Sequence, residues 1–257
     1  MTAKIGSMTV VLVHGNPETD AVWGPLVAEL GRDDVVRLSP PGFGAPLPDA
    51  FGATVGEYRD WLVAELERFE APVDLVGHDW GGGHVVNAAM ARPDLLRSWA
   101  TDVIGLFDPE YVWHQLAQVW LQPGAGEDLV DSMMGGTLAE RTKRTVGLGI
   151  TPEVAEGMAA GQGPEMGRAI LALYRSATRE VLDQFAETLP VAAKTPGLAL
   201  SATEDHVVGS DAMRRRAAAR AGAQFEELAG LGHWWMVQDP AKGAEVLTRF
   251  WASVASG

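Results

Sequence analysis

The chain of 257 residues contains no cysteine, which excludes disulfides, thiolate nucleophiles and Cys-ligated zinc together. Basic charge is scarce: 20 Lys and Arg stand against 34 Asp and Glu, a formal net charge of −14 at pH 7. Nucleic-acid backbones and anionic membrane surfaces are bound by clustered Lys and Arg. The one basic cluster, Arg214, Arg215, Arg216 and Arg220, is short and reads as the solvated face of a helix, so no nucleic acid is expected as a partner. No window approaches the ~20 apolar residues of a membrane span, and residues 1–8 lack a signal-peptide apolar stretch. No membrane association is expected, the cytoplasm is the expected compartment, and the first seven residues read as a lead ahead of the fold. What is present is a chain 47% apolar and 21% charged, which is too apolar for disorder. Its length suits one large α/β domain, or one domain carrying an insertion.

Six short runs read as strands: 9–13 (TVVLV), 35–39, 73–77 (VDLVG), 98–104, 196–202 and 224–229. The first is β-branched and apolar throughout, as expected of a strand buried on both faces. Helical spacing falls between the runs, at 21–30, 55–67, 82–91, 211–221 and 240–254. Alternating strand and helix predicts an α/β fold with a mostly parallel, doubly wound sheet. About ninety residues separate the fourth and fifth runs, and their spacing is helical with frequent glycines. The expected organisation is therefore a core of 1–105 and 195–257 with a helical cap at 106–194. Trp113, Trp120, Trp234 and Trp235 read as pocket wall or core, which suggests a hydrophobic small-molecule partner.

The third run leads into Gly77-His78-Asp79-Trp80-Gly81 and then an apolar helix, a G-x-D-x-G pattern in a strand–turn–helix context. A residue at such a sharp turn stands clear of the sheet's carboxyl edge, and the helix N-terminus offers N–H groups to a developing negative charge. The first run ends in His14-Gly15-Asn16-Pro17 at the same edge, where the Asn16 and Trp80 N–H groups can form an oxyanion hole. Asp205 follows the fifth run and His233 follows the sixth. The chain order nucleophile, acid, histidine is thus met by Asp79, Asp205 and His233, with Asp102 after the fourth run as the other candidate acid. His14, His78, His84 and His206 read as structural or solvated, and no trio of histidines has metal-ligand spacing.

Carried by VLVHGNP at 11–17, LVGHDWGGG at 75–83, LYRSA at 173–177, SATEDH at 201–206 and GLGHWW at 230–235, the chain resembles the α/β-hydrolase superfamily. Within it, the resemblance is to the aspartate-nucleophile branch of epoxide hydrolases and haloalkane dehalogenases. The resemblance implies an α/β-hydrolase fold with a cap and a sheet shortened at its N-terminal side. It also implies hydrolysis without a cofactor or metal, through an ester on Asp79. Tyr174 matches the cap tyrosine that protonates an opening epoxide, whereas Asn16 and Trp80 match the side-chain pair that grips a departing halide. A second cap tyrosine is missing from 116–121, and Tyr111 and His114 are its nearest substitutes. Epoxide hydrolysis is the expected activity and dehalogenation the alternative. A non-catalytic ligand receptor on the same fold is a third reading, disfavoured by an intact triad.

Overall fold

The structure, a computed structural model, describes residues 9–256; the seven-residue lead lies outside them. Among these residues six strands form one sheet: β1 (Val10–Val13), β2 (Val35–Leu38), β3 (Val73–Gly77), β4 (Leu96–Thr101), β5 (Gly197–Ala202) and β6 (Gln224–Leu228). All pair in parallel, in the order β2-β1-β3-β4-β5-β6. Three α-helices lie in the first part of the chain: α1 (Gly24–Leu30), α2 (Val55–Leu66) and α3 (Trp80–Ala91). Six more lie between β4 and β5: α4 (Gln115–Trp120), α5 (Ala125–Met134), α6 (Leu138–Val146), α7 (Pro152–Gly161), α8 (Pro164–Ser176) and α9 (Arg179–Thr188). The last three are α10 (Asp211–Arg220), α11 (Trp235–Gln238) and α12 (Pro240–Ala255).

Every residue of β1 is buried because helices cover both faces of the sheet. Successive side chains of a strand point to opposite faces, and β1 accordingly feeds two cores. Val11 and Val13 join Tyr58 and Leu62 of α2, Val85 and Ala88 of α3, and Ala217 of α10. Val10 and Leu12 join Leu26 of α1, Trp235 of α11, and Leu247 and Phe250 of α12.

Two of the boundaries that differ from the sequence expectation have a local cause. β4 ends at Thr101 rather than 104, because Thr101 Oγ1 accepts from the Val103 N–H at 3.2 Å and the chain turns into a 3₁₀ helix at Ile104–Phe107. The expected helix at 21–30 opens instead as a 3₁₀ turn, Asp20–Trp23, with Thr19 Oγ1 accepting from the Ala21 N–H.

The strand order places the site. From β1 the chain moves outward to β2, then crosses back to β3 and continues to β6 on the other side. The crevice at the carboxyl ends of β1 and β3 is thus the topological switch point, where open α/β sheets bind ligands. His14, Gly15 and Asn16 leave β1 there, and His78 and Asp79 leave β3.

Candidate active site

Only His78 and Asp79 separate the end of β3 from the start of α3. Asp79 turns the chain with φ 50° and ψ −132°, a region that L side chains resist. Close packing makes the turn possible. A Cβ on Gly81 would lie 2.2 Å from the Val13 carbonyl oxygen, so only glycine lets α3 start against the end of β1. Its counterpart is Gly15, whose Cβ would lie 2.2 Å from Asp79 Oδ1. With the room left by Gly15, Asp79 Oδ1 accepts from the Asn16 backbone N–H at 2.9 Å and from Asn16 Nδ2 at 3.2 Å. Oδ2 lies 3.9 Å from His233 Nε2. Burial raises the Asp79 carboxyl above the usual range, opposed by the charges of His233 and His78 and by the Asn16 N–H.

His233 sits beyond β6, and its Nδ1–H donates to Asp205 Oδ2 at 2.8 Å. Asp205 Oδ1 accepts from the Val207 N–H at 2.8 Å. Burial alone would raise the Asp205 carboxyl, but the hydrogen bond and charge of His233 outweigh it and hold the group at about 2. Burial would likewise lower His233, yet the bond to Asp205 and the charges of Asp205 and Asp79 raise it above its ordinary value. The basic cluster needs a correction here: Arg214 is not on a solvated face but buried. Its guanidinium donates to Ser201 Oγ at 3.3 Å and to the Ala202 carbonyl at 3.0 Å, and also to the Asp205 carbonyl. It therefore ties the Asp205 loop to the end of β5. Arg215 does fit the expectation, being half-exposed and ion-paired with Asp211 and Glu227.

Asp102 does not touch His233. Its Oδ1 accepts from the Asp79 N–H at 3.0 Å, and its Oδ2 from His78 Nδ1 at 2.5 Å and from Trp235 Nε1 at 2.7 Å. On the other side of His78, Nε2 lies 3.0 Å from Glu18 Oε1, which also accepts from Trp234 Nε1 at 2.5 Å. Glu18 is wholly buried, and nothing in the spacing of the sequence marks it; its position four residues after His14 is the one available signal. Glu18, His78 and His233 bring one ligand-type atom each within 4.8 Å of one another, among the described residues. Both His78 nitrogens face carboxylates, one of them Glu18, and His233 Nδ1 is held by Asp205, so these side chains are engaged in hydrogen bonds of their own.

Above Asp79 lies a narrow, partly open cavity of about 20 Å³, walled by Trp80, Val103, Leu106, Tyr111, Trp113, His114, Tyr174, Val207 and Val208. Tyr174, on α8, is buried and packs edge-on to Trp80 with ring centroids 5.5 Å apart, and against Trp120 at 4.6 Å. Asn16 and Trp80, as donors, oppose the effect of burial on its hydroxyl. Burial and the charge of Asp79 push the phenol well above its ordinary value, so it holds its proton through neutral pH. The two substitutes for a second tyrosine both line this cavity. Tyr111 donates its hydroxyl to the Val207 carbonyl at 3.4 Å, and His114, lowered by burial, accepts from the Ala117 N–H through Nδ1. His14 and His84 are buried, as a structural reading requires, and His206 is exposed.

The sequence profile of the alpha/beta hydrolase family matches residues 10–246. A Karrikin insensitive 2 receptor from Petunia hybrida is 36% identical over 102 residues, 37% of this chain and 38% of that protein. The curated relatives that match do so over little more than a third of their own length. Among solved structures, a haloalkane dehalogenase from Bradyrhizobium elkani superposes with a TM-score of 0.74 at 19% identity, over 98% of this chain and 92% of that one. Epoxide hydrolase A from Mycobacterium thermoresistibile gives 0.72 at 20% identity, over 96% and 92%. At these identities the likeness is one of fold.

Proposed function

The chain belongs to the alpha/beta hydrolase family, and we propose that it hydrolyses small hydrophobic epoxides to diols through a covalent ester on Asp79, without a cofactor or metal. The six helices between β4 and β5 act as the cap, 106–194, over a core of 1–105 and 195–257. One observation carries the reading. Tyr174, a protonated phenol on the cap side, and Asp79 line the same cavity, while His233 faces Asp79 Oδ2.

In the first step Asp79 Oδ2 attacks an epoxide carbon, the C–O bond breaks towards oxygen, and the Tyr174 phenol protonates that oxygen. An aspartate serves where a serine would not, because a carboxylate attacking an sp³ carbon leaves an ester that water can cleave, whereas a hydroxyl leaves an ether. In the second step His233 Nε2 takes a proton from water, which attacks the Asp79 carboxyl carbon. Oδ1 already sits against Asn16, so the donors for the tetrahedral oxyanion are in place before charge develops, with the Trp80 N–H completing the hole. Collapse expels the diol's oxygen, protonated by the His233 imidazolium. The new Asp79 carboxyl gives up its proton, and the tyrosinate regains one. Asp205 holds His233 in the correct tautomer and stabilises its charged form.

Dehalogenation is the second reading, favoured by two side-chain donors near Asp79: Asn16 Nδ2, which meets Asp79 Oδ1, and the indole of Trp80, which walls the cavity. The Tyr174 ring packs edge-on against Trp80, which brings a phenol to the same place and supports the epoxide instead. A complete His233–Asp205 pair beside Asp79 argues against a purely receptor role.

The test uses a His233→Gln variant, which forms the ester but hydrolyses it slowly. It is incubated separately with a small aryl epoxide and a matched alkyl bromide, and the protein mass is read intact and by peptide. The expected result is the whole epoxide mass on the peptide containing Asp79, lost in an Asp79→Ala, His233→Gln double variant. An adduct from the bromide alone, lacking its bromine, would replace the reading with dehalogenation. An adduct from neither overturns the covalent reading for both substrates.

A further inference from the structure

His78 takes no part in the two steps above, yet it is wholly buried between two carboxylates. Nδ1 lies 2.5 Å from Asp102 Oδ2, and Nε2 lies 3.0 Å from Glu18 Oε1. An ionised carboxylate accepts hydrogen bonds and donates none, so a ring that satisfies both partners must donate from both nitrogens and carry a positive charge. A neutral ring would set a nitrogen lone pair against a carboxylate oxygen in a place sealed from water, where unpaired polar groups are costly. The two carboxylates are anchored in turn. Glu18 accepts from Trp234 Nε1 and the Gly15 N–H, and Asp102 from Trp235 Nε1 and the Asp79 N–H. Through them one imidazole is joined to the loop after β1, to the strained turn, and to the Trp234-Trp235 segment that directly follows His233. The His78 and His233 rings are 4.6 Å apart.

We propose that His78 is a fixed imidazolium that acts as a positioning residue, clamping the turn and the His233 loop through Asp102 and Glu18 and opposing the protonation of His233 by its buried positive charge. The charges facing His233 make the need plain. Asp205 and Asp79 stand on one side, and Glu18 is within electrostatic reach; all three draw a proton onto the ring. Burial and the charge of His78 oppose them, as does His114. His78 itself faces Asp102 and Glu18 as anions, with Asp79 on the next residue and His14 and His233 as its basic neighbours. The consequence for catalysis rests on His233 being the base of the reaction proposed above; the charge state and its effect on His233 do not.

The test is therefore made first without substrate. In protein labelled with ¹⁵N-histidine, both His78 nitrogens are expected to remain protonated through the pH range in which His233 loses its proton. A His78→Gln variant shown to be folded by its melting curve should raise the His233 pKa by roughly one unit. The acid limb of ester hydrolysis should move to higher pH by the same amount. A His78 ring with one neutral nitrogen at pH 7.5 in the wild-type protein overturns the proposal, whether or not the variant folds. An unmoved His233 pKa in a folded variant overturns it too. If both titrations behave as expected and no epoxide adduct forms, the assignment of the reaction fails while this one stands.

Discussion

At Asp79 the backbone holds φ 50° and ψ −132°, a conformation that costs on the order of 1–3 kcal/mol for an L side chain. It persists because the turn is held from every side: its N–H by Asp102, its Oδ1 twice by Asn16, and its following helix against β1. The carboxylate is therefore aimed before any substrate arrives, and the two oxygens are already distinguished, one held by Asn16 and one towards His233. Tyr174 is the residue on which the epoxide reading turns. An opened epoxide needs a proton, and a departing halide does not. Tyr174→Phe is expected to slow ester formation from an epoxide by about 10²-fold or more and to leave ester formation from an alkyl bromide within a fewfold. Single-turnover rates in the His233→Gln background decide it. An equal loss with both substrates would mean that the ring only shapes the cavity.

At the scale of elements, α10 shows what the sequence displayed and what it concealed. Arg214, Ala217 and Ala218 are its buried positions, the i, i+3, i+4 stripe of one helix face, so the arginine shares its side with two core alanines. Read as a charge cluster the segment looked solvated; read as a stripe, one arginine points inward. Losing it removes donors from the Ala202 carbonyl at the end of β5 and from the Asp205 carbonyl on the loop beyond. Arg214→Met is expected to cost about 1–3 kcal/mol of stability, measured by chemical denaturation. The hydrolysis step should slow more than ester formation, because Asp205 orients only the base. Unchanged stability with an unchanged ratio of the two steps would refute the role.

The legible parts share a cause. Buried β-branched runs announce strands of a parallel sheet, and chemistry gathers at their carboxyl ends, so Asn16, Asp79, Asp205 and His233 could be named from one dimension. Glu18, Asp102 and His78 meet because three loops fold under one sheet edge, and no periodicity encodes that meeting. The end of β4 escaped for a local reason: the Thr101 hydroxyl offers the backbone a turn in competition with the ladder. In the same way Tyr111 reaches the cavity only through the 3₁₀ turn that follows β4, which spacing alone did not anticipate.

Over the whole molecule, the buried titratable groups set opposite slopes on the two sides of neutrality. Burial would raise Glu18, but the charge and hydrogen bond of His78 hold it at about 2, against 4.5 for a free side chain; Asp205 is also held at about 2, against 3.8. Groups lowered in this way contribute stability that is complete above their unfolded values and is lost as pH falls towards 2. His84, lowered by burial to about 3, is neutral in the fold. It adds a loss that starts earlier, as the unfolded chain takes up a proton below about 6.5. His78 has the other sign: Asp102 and Glu18 overcome burial and raise it well above 6.5. Its contribution is full below 6.5 and is lost as pH rises through the folded value. Stability should therefore form a dome with both shoulders tied to one ion cluster. Glu18→Gln removes the carboxylate and weakens the support for His78, so it should lower the dome and flatten both shoulders. The acid slope between pH 4.5 and 2 should be gentler than in the wild type by up to about 1.4 kcal/mol per pH unit. The net charge of −14 adds a broad repulsion at neutral pH. One neutralised carboxylate barely alters that background, so it nearly cancels in the difference between the two denaturation curves. Curves that run parallel from pH 2 to 9 would mean that Glu18 carries no coupled charge, and the buried cluster would have to be redrawn with a neutral His78.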